Sequence, residues 1–222
     1  MPPHRLERPV LAVDLDGTLL RSNTFPSFVR MALRRSVVRG RLVSAARLVS
    51  ALVARKVFRG PHERLKATVH RVGERLHPAD IDAWVSRVHA ADLNPEVARL
   101  VAEWRGPTVL ATSAPALYAD LFGELSGFTT VQGSEFVDGR GYVENVHAAK
   151  AERLQAVLGS PLDCAITDDL VVDGPLLALA ARRLVVEPSG VVRELHRQEE
   201  RSLPETGQHP LDERTDDAQP RG

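Results

Sequence analysis

The chain has 222 residues, 43% of them hydrophobic and 26% charged, enough for one large domain or a core with an inserted subdomain. Its 29 basic and 29 acidic residues cancel, so no global field draws it to nucleic acid or membrane. The single cysteine, Cys164, excludes an internal disulfide framework and fits a reducing, cytoplasmic setting; there is no apolar run of about 18 residues to cross a bilayer, and the opening MPPHRLERPV lacks a signal-peptide core.

Residues 10–15 read as a buried strand, a short apolar run ended by a Gly turn. Residues 24 to about 102 change character. They are rich in Ala, Leu, Arg and Val with helical spacing, and breaks near Gly40, Gly60-Pro61 and His77-Pro78 suggest three or four helices. Leu42, Ala46, Val49, Val53 and Val57 follow a 4-3-4-4 spacing, which predicts the buried stripe of an amphipathic helix, with Leu48 and Leu52 on its other, basic side. PTVLATSAP (107–115) is a second apolar strand, FTTVQ (128–132) a weaker third, and FVDGRGYV (136–143) carries the Asp138-Gly139 hairpin signal. A helix over 147–159, a strand over 163–169, a helix over 175–181 and a last strand over 183–188 complete the pattern. Strands alternating with helices imply a parallel α/β sheet. From 198 the chain is charged, Pro-containing and nearly free of large apolar residues, the composition of a disordered tail.

Three of the expected strands end in polar groups: Asp14 and Asp16, Thr112 and Ser113, Asp168 and Asp169. Open parallel sheets bind ligands at the carboxyl ends of their strands, so neighbouring strands would bring these groups to one edge. Carboxylates crowded there repel unless a cation sits among them, and oxygen-only donors suit a hard ion, most simply Mg²⁺.

DLDGT at 14–18 resembles the first motif of the haloacid dehalogenase-like superfamily of phosphotransferases, and three further motifs follow in the family's order: VLATS (109–113), Lys150 at a helix start, and ITDDLVVDGPLL (166–177). The likeness spans roughly residues 9–190. It implies a Rossmann-like α/β core over 1–22 and 103–197 and a helical cap over 23–102, inserted as in phosphoserine phosphatase. It also implies a Mg²⁺-dependent phosphatase acting on a small-molecule phosphomonoester. Asp14 would be the nucleophile that forms an aspartyl-phosphate. Asp16 would protonate the leaving alkoxide and then activate water. Gly17, Thr18, Thr112 and Ser113 would hold the phosphoryl group, and Lys150 would neutralise charge on it and on the nucleophile. The metal would be held by Asp14, the Asp16 carbonyl and Asp169, with Asp173 acting through a water or orienting Lys150 and Asp168 as a further candidate ligand. Asp16 favours phosphate-ester hydrolysis, because relatives that are dehalogenases lack it. The position three before Lys150, often Gly in related phosphatases, is His147.

The expected cap would read the leaving group. From Arg21 to His62 it holds ten Lys/Arg and no Asp or Glu. One reading has this basic, partly apolar segment meet an anionic membrane surface; another has it bind an extended anionic substrate; the plainest is solvated arginine. More loosely, the segment resembles phosphatase-like domains associated with prenyltransferase genes, which would make the enzyme a membrane-associated phosphatase of a lipid-linked, for example prenyl-linked, phosphate. A fold that kept its shape and lost turnover, a binding module, is the rival from another class. Arg30 and Arg34, one turn apart near the cap entrance, are candidates for substrate contact. Trp84 and Trp104 read as core anchors and Cys164 as a packing residue. No aromatics interleave with the basic run, so nucleic acid is not an expected partner, and oligomeric state is open.

Overall fold

The computed structural model describes residues 9–158 and 161–195; the tail expected from 198 lies outside them. A seven-stranded sheet has the order β4-β3-β2-β1-β5-β6-β7. Its parallel centre is β3 (Thr130–Val137), β2 (Thr108–Pro115), β1 (Leu11–Val13), β5 (Leu162–Thr167) and β6 (Ala180–Val186), and the edges β4 (Gly141–Val143) and β7 (Val192–Glu194) run antiparallel. The Asp138-Gly139 signal becomes the β3–β4 hairpin, with Gly139 at φ 75°. The third strand begins two residues later than the sequence suggests and runs on into that hairpin. β7 was not expected; the Ser189-Gly190 turn, with Gly190 at φ 88°, reverses the chain onto β6.

The period of two along β1 places side chains alternately on both faces. Leu11, Val13 and Leu15 join one hydrophobic cluster, and Val10 and Ala12 join the other. Cys164 is fully buried in the first cluster, and burial lifts its thiol to about 11, so it stays a neutral packing residue.

Four helices stand between β1 and the return to the sheet: α1 (Thr24–Val38), α2 (Leu42–Val57), α3 (His62–Gly73) and α4 (Pro78–Asp92). Asn23 caps α1 by accepting from the Phe25 amide, and Gly40, at φ 67°, turns the chain into α2. The other breaks fall at Gly60-Pro61 and His77-Pro78, as the sequence indicates. A fifth helix, α5 (Pro95–Glu103), belongs with the sheet rather than the insertion. Asn94 Nδ2 donates to the Gly190 carbonyl and Glu96 accepts from the Val192 amide, so the inserted block is shorter than 23–102 and ends near Asp92.

The insertion is fused to the core by an aromatic seam. Phe28 and Trp84 of the cap pack on Tyr118 and Phe122 of α6 (Ala116–Leu125) at centroid distances of 4.6–5.7 Å. Trp84 is thus a core anchor. Trp104 closes the base of the sheet by donating to the Pro9 carbonyl at 2.8 Å.

One helix is turned opposite to expectation. α2 buries Ser44, Ala45 and Leu48, whereas Leu42, Val49, Val53 and Val57 are 45–66% exposed. The apolar spacing is real, but the face packed on α1 and α3 is the one with small residues, which lets the helices approach closely.

Candidate active site

Asp14 follows β1 directly, and its amide donates to the Ile166 carbonyl of β5 at 3.0 Å, which fixes the carboxylate at the carboxyl edge of the sheet. Lys150, on α7 (His147–Leu158), is 2% exposed; its Nζ donates to Asp14 Oδ1 at 2.7 Å and to Asp173 Oδ1 at 2.8 Å. The other Asp173 oxygen accepts from the Thr167 hydroxyl at 2.6 Å. One oxygen of Asp173 thus holds Lys150 while Thr167 holds the other, an arrangement compatible with the second of the two roles the sequence leaves open. His147, where relatives often have Gly, adopts φ 50°, the left-handed conformation that glycine takes without strain.

Burial lifts the Asp14 carboxyl to about 7, against the opposing pull of Lys150 and with Asp173 and Asp16 adding to the rise. The two carboxylates raise the Lys150 ammonium in spite of its burial, so it stays charged. Asp16 is turned to the cap: its Oδ1 accepts from the Thr24 amide, the first of α1, at 2.8 Å. Burial raises its pKa as well, and the Thr24 hydrogen bonds work against that rise. Thr24 in turn meets the Tyr118 hydroxyl at 3.3 Å, so the seam and the acid are coupled through one residue.

Gly17 sits at φ 80°, and a Cβ there would lie 2.1 Å from Asp168 Oδ2. Both the turn and the close approach of Asp168 require glycine. The side chain of Thr18, a residue expected to help hold phosphate, is fully buried, and its hydroxyl donates to Asp168 Oδ1 at 3.1 Å, tying the loop to the end of β5. Asp168 therefore faces the Asp16–Gly17–Thr18 loop. Asp169 Oδ1 instead accepts from the Val171 and Val172 amides, both at 2.9 Å, and closes the turn that follows β5.

Thr112 and Ser113 are both in β2. The Thr112 hydroxyl accepts from the Ala114 amide, leaving its proton to donate, and its carbonyl is held by Asn145 Nδ2 at 3.1 Å. The Ser113 carbonyl accepts from Ser134 at 2.8 Å and from Lys66 Nζ at 3.1 Å. Lys66 belongs to α3 of the cap, is buried, pairs with Glu144 and exerts its field on Asp16. Sequence reasoning missed it, yet a signal was present: 26 of the 29 cations are arginine, and two of the three lysines, Lys66 and Lys150, are at this site. Arg30 and Arg34 are exposed and line a depression with Ser27 and Trp84; the structure brings neither into contact with the carboxylates.

The donor set is oxygen only. Asp14 and Asp173 are buried and share the Lys150 ammonium, half-buried Asp16 lies in the field of Lys66, and Asp168 is exposed beside the Gly17 turn. Among the described residues no three His, Cys, Asp or Glu side chains converge tightly enough to hold an ion unaided. A metal here would draw on main-chain oxygen and water as well as carboxylate, which is compatible with a hard divalent cation.

A family model of haloacid dehalogenase-like hydrolases matches residues 11–171. No curated protein matches. Among solved structures, a protein of unknown function from Bordetella pertussis Tohama I superposes with a TM-score of 0.60 at 19% identity, over 81% of this chain and 90% of that one. A probable phosphoserine phosphatase from Vibrio cholerae superposes with a TM-score of 0.52 at 14% identity, over 79% of this chain and 55% of that one. At these identities the likeness is one of fold.

Proposed function

Since the chain belongs to the haloacid dehalogenase-like hydrolases, we propose that it is a Mg²⁺-dependent phosphatase that hydrolyses a small-molecule phosphomonoester through an aspartyl-phosphate on Asp14. The observation that carries this reading is the division of labour between the two aspartates. Asp14 is held by a buried lysine that is itself clamped by Asp173, while Asp16 is turned away onto a cap amide.

An oxygen of Asp14 attacks phosphorus as the bond to the leaving alkoxide breaks. Asp16, whose burial favours its protonated form, gives its proton to that alkoxide. The resulting Asp16 carboxylate then takes a proton from water as the water attacks phosphorus and the bond to Asp14 breaks, releasing phosphate and restoring both carboxyl groups. Lys150 stabilises charge on Asp14 and the transferring group throughout, and Thr112 donates its hydroxyl proton to a phosphoryl oxygen with the Ser113 amide beside it. The cation would be held by Asp14, the Asp16 carbonyl and Asp168, with Asp169 next to them, and it supplies the positive charge that lets an anionic nucleophile approach an anionic phosphoryl group. Lys66 and Glu144 lie where the cap meets the site and would face the leaving group.

The test is phosphate release from p-nitrophenyl phosphate and a panel of metabolite phosphates. Release that requires Mg²⁺, stops with EDTA and falls at least about a thousandfold in Asp14→Asn supports the reading. Mg²⁺-independent release, or full activity in Asp14→Asn, would overturn it.

A further inference from the structure

We propose that the outer face of the cap, built by α2 and the groove between α2 and α3, is a docking surface for a bilayer containing anionic phospholipid. Eight of the twelve exposed large hydrophobic residues among those described lie in the short segment 37–58. Leu42, Val49, Val53 and Val57 form one outward stripe along α2, with Phe58, 76% exposed, at its end. Monomers rarely leave contiguous apolar surface of this kind uncovered.

The charges around the stripe select the partner. On the helical wheel of α2, Arg47 flanks one edge of the stripe and Lys56 the other. Beside it, a groove of about 990 Å³ between α2 and α3 has five arginines in its lining, Arg47, Arg55, Arg64, Arg71 and Arg75, and no carboxylate. Arg71 lies 4.7 Å from the centre of the Phe136 ring, and none of the five is within ion-pair distance of an acid among the described residues. An apolar strip flanked by cations is the pattern of a helix lying in the membrane interface, with long basic side chains reaching phosphates and the stripe entering the acyl boundary. A second copy of the chain fits less well, because a symmetric pairing of α2 faces would bring the cationic rims together with no acid between them. The tail from 196 offers Leu203 and Leu211 as its only large apolar residues, too few to cover the stripe.

The surface is one helix away from the chemistry. α3 presents Arg64 and Arg71 to the groove, with Arg75 just past its end, and Lys66 to the Ser113 carbonyl. Docking would therefore hold the helix that faces the leaving group.

Cosedimentation of the full chain with vesicles tests this. One set is phosphatidylcholine alone and the other is phosphatidylcholine with phosphatidylglycerol as one lipid in three. The chain is expected to pellet with the anionic set only and to be released by high salt. Val53→Glu/Val57→Glu should weaken binding by at least about tenfold. Arg47→Ala and Arg55→Ala should each weaken it by roughly fivefold. All these side chains are exposed, so circular dichroism and p-nitrophenyl phosphate turnover should not change, and Asp14→Asn should bind vesicles as the natural chain does. That last arm separates docking from the phosphatase reading. No binding to the anionic vesicles, equal binding to both sets, or undiminished binding by the double glutamate variant would overturn the proposal. So would lipid-free dimerisation, in sedimentation velocity, that the same variant abolishes.

Discussion

At the residue scale, the unsettled assignment is the pair Asp168 and Asp169. Successive residues at a strand end point to opposite faces, and a shift of one position exchanges them. The spacing of four to Asp173 favours Asp169, but the chain as folded turns Asp168 onto the glycine of the first motif and uses Asp169 to close a turn. The two roles separate experimentally. Asp168→Asn should raise the Mg²⁺ concentration for half-maximal p-nitrophenyl phosphate turnover by about tenfold or more, with little change in melting temperature. Asp169→Asn weakens two amide hydrogen bonds and should cost about 1–2 kcal/mol of stability with a smaller effect on the metal requirement. A Mg²⁺ titration and a thermal melt of each variant decide it, and the opposite pattern would restore Asp169 as the ligand. Asp14, Asp16, Thr112 and Lys150 were legible because each lies in a local pattern of strand end or helix start. Lys66 was not, since its place depends on how an inserted helix returns to the sheet.

At the scale of elements, periodicity shows that α2 has two faces but not what covers each. Its more apolar face was expected inside. The buried face instead combines Leu48, which is fully enclosed, with Ser44 and Ala45, whose small side chains permit tight packing on α1 and α3. Hydrophobicity alone ranks the faces by transfer energy, whereas packing ranks them by fit. The orientation predicts an asymmetry between two superficially similar truncations. Leu48→Ala should cost about 2–5 kcal/mol in urea unfolding, as a leucine lost from a closed core does. Val53→Ala should stay within about 0.5 kcal/mol. Comparable losses at both positions, or a larger one at Val53, would place the 42–57 stripe inside after all. The remaining elements were legible to within a few residues, because Gly and Pro mark their ends. β7 escaped notice because three residues carry too little pattern, and its existence rests on β6 being there to receive it.

At the scale of the whole molecule, insertion of a helical block into an α/β core raises the question of whether the two fold as one. A cap attached only by its two linkers would melt separately. Here the hydrophobic cluster on one face of the sheet runs without a break from Val13, Leu110 and Ile166 through Tyr118 and Phe122 into Phe28, Val69 and Trp84 of the cap. Aromatic pairs of this geometry contribute about 1 kcal/mol each beyond their burial. The Lys66–Glu144 pair and the Thr24–Asp16 bond add polar ties across the same boundary. Losing the cap would therefore expose the core's own side chains, so the two parts should unfold in one cooperative step. Tryptophan emission, to which Trp84 in the seam and Trp104 beside α5 both contribute, should follow the same thermal curve as far-UV circular dichroism. The calorimetric and van't Hoff enthalpies should agree. A separate, earlier transition in tryptophan emission would mean that the seam opens before the sheet melts and that the cap is a domain in its own right. Coincident curves would mean that any motion admitting substrate pivots about the Phe28–Trp84–Tyr118 contact, and that a bilayer gripping α2 acts on a body continuous with the catalytic edge.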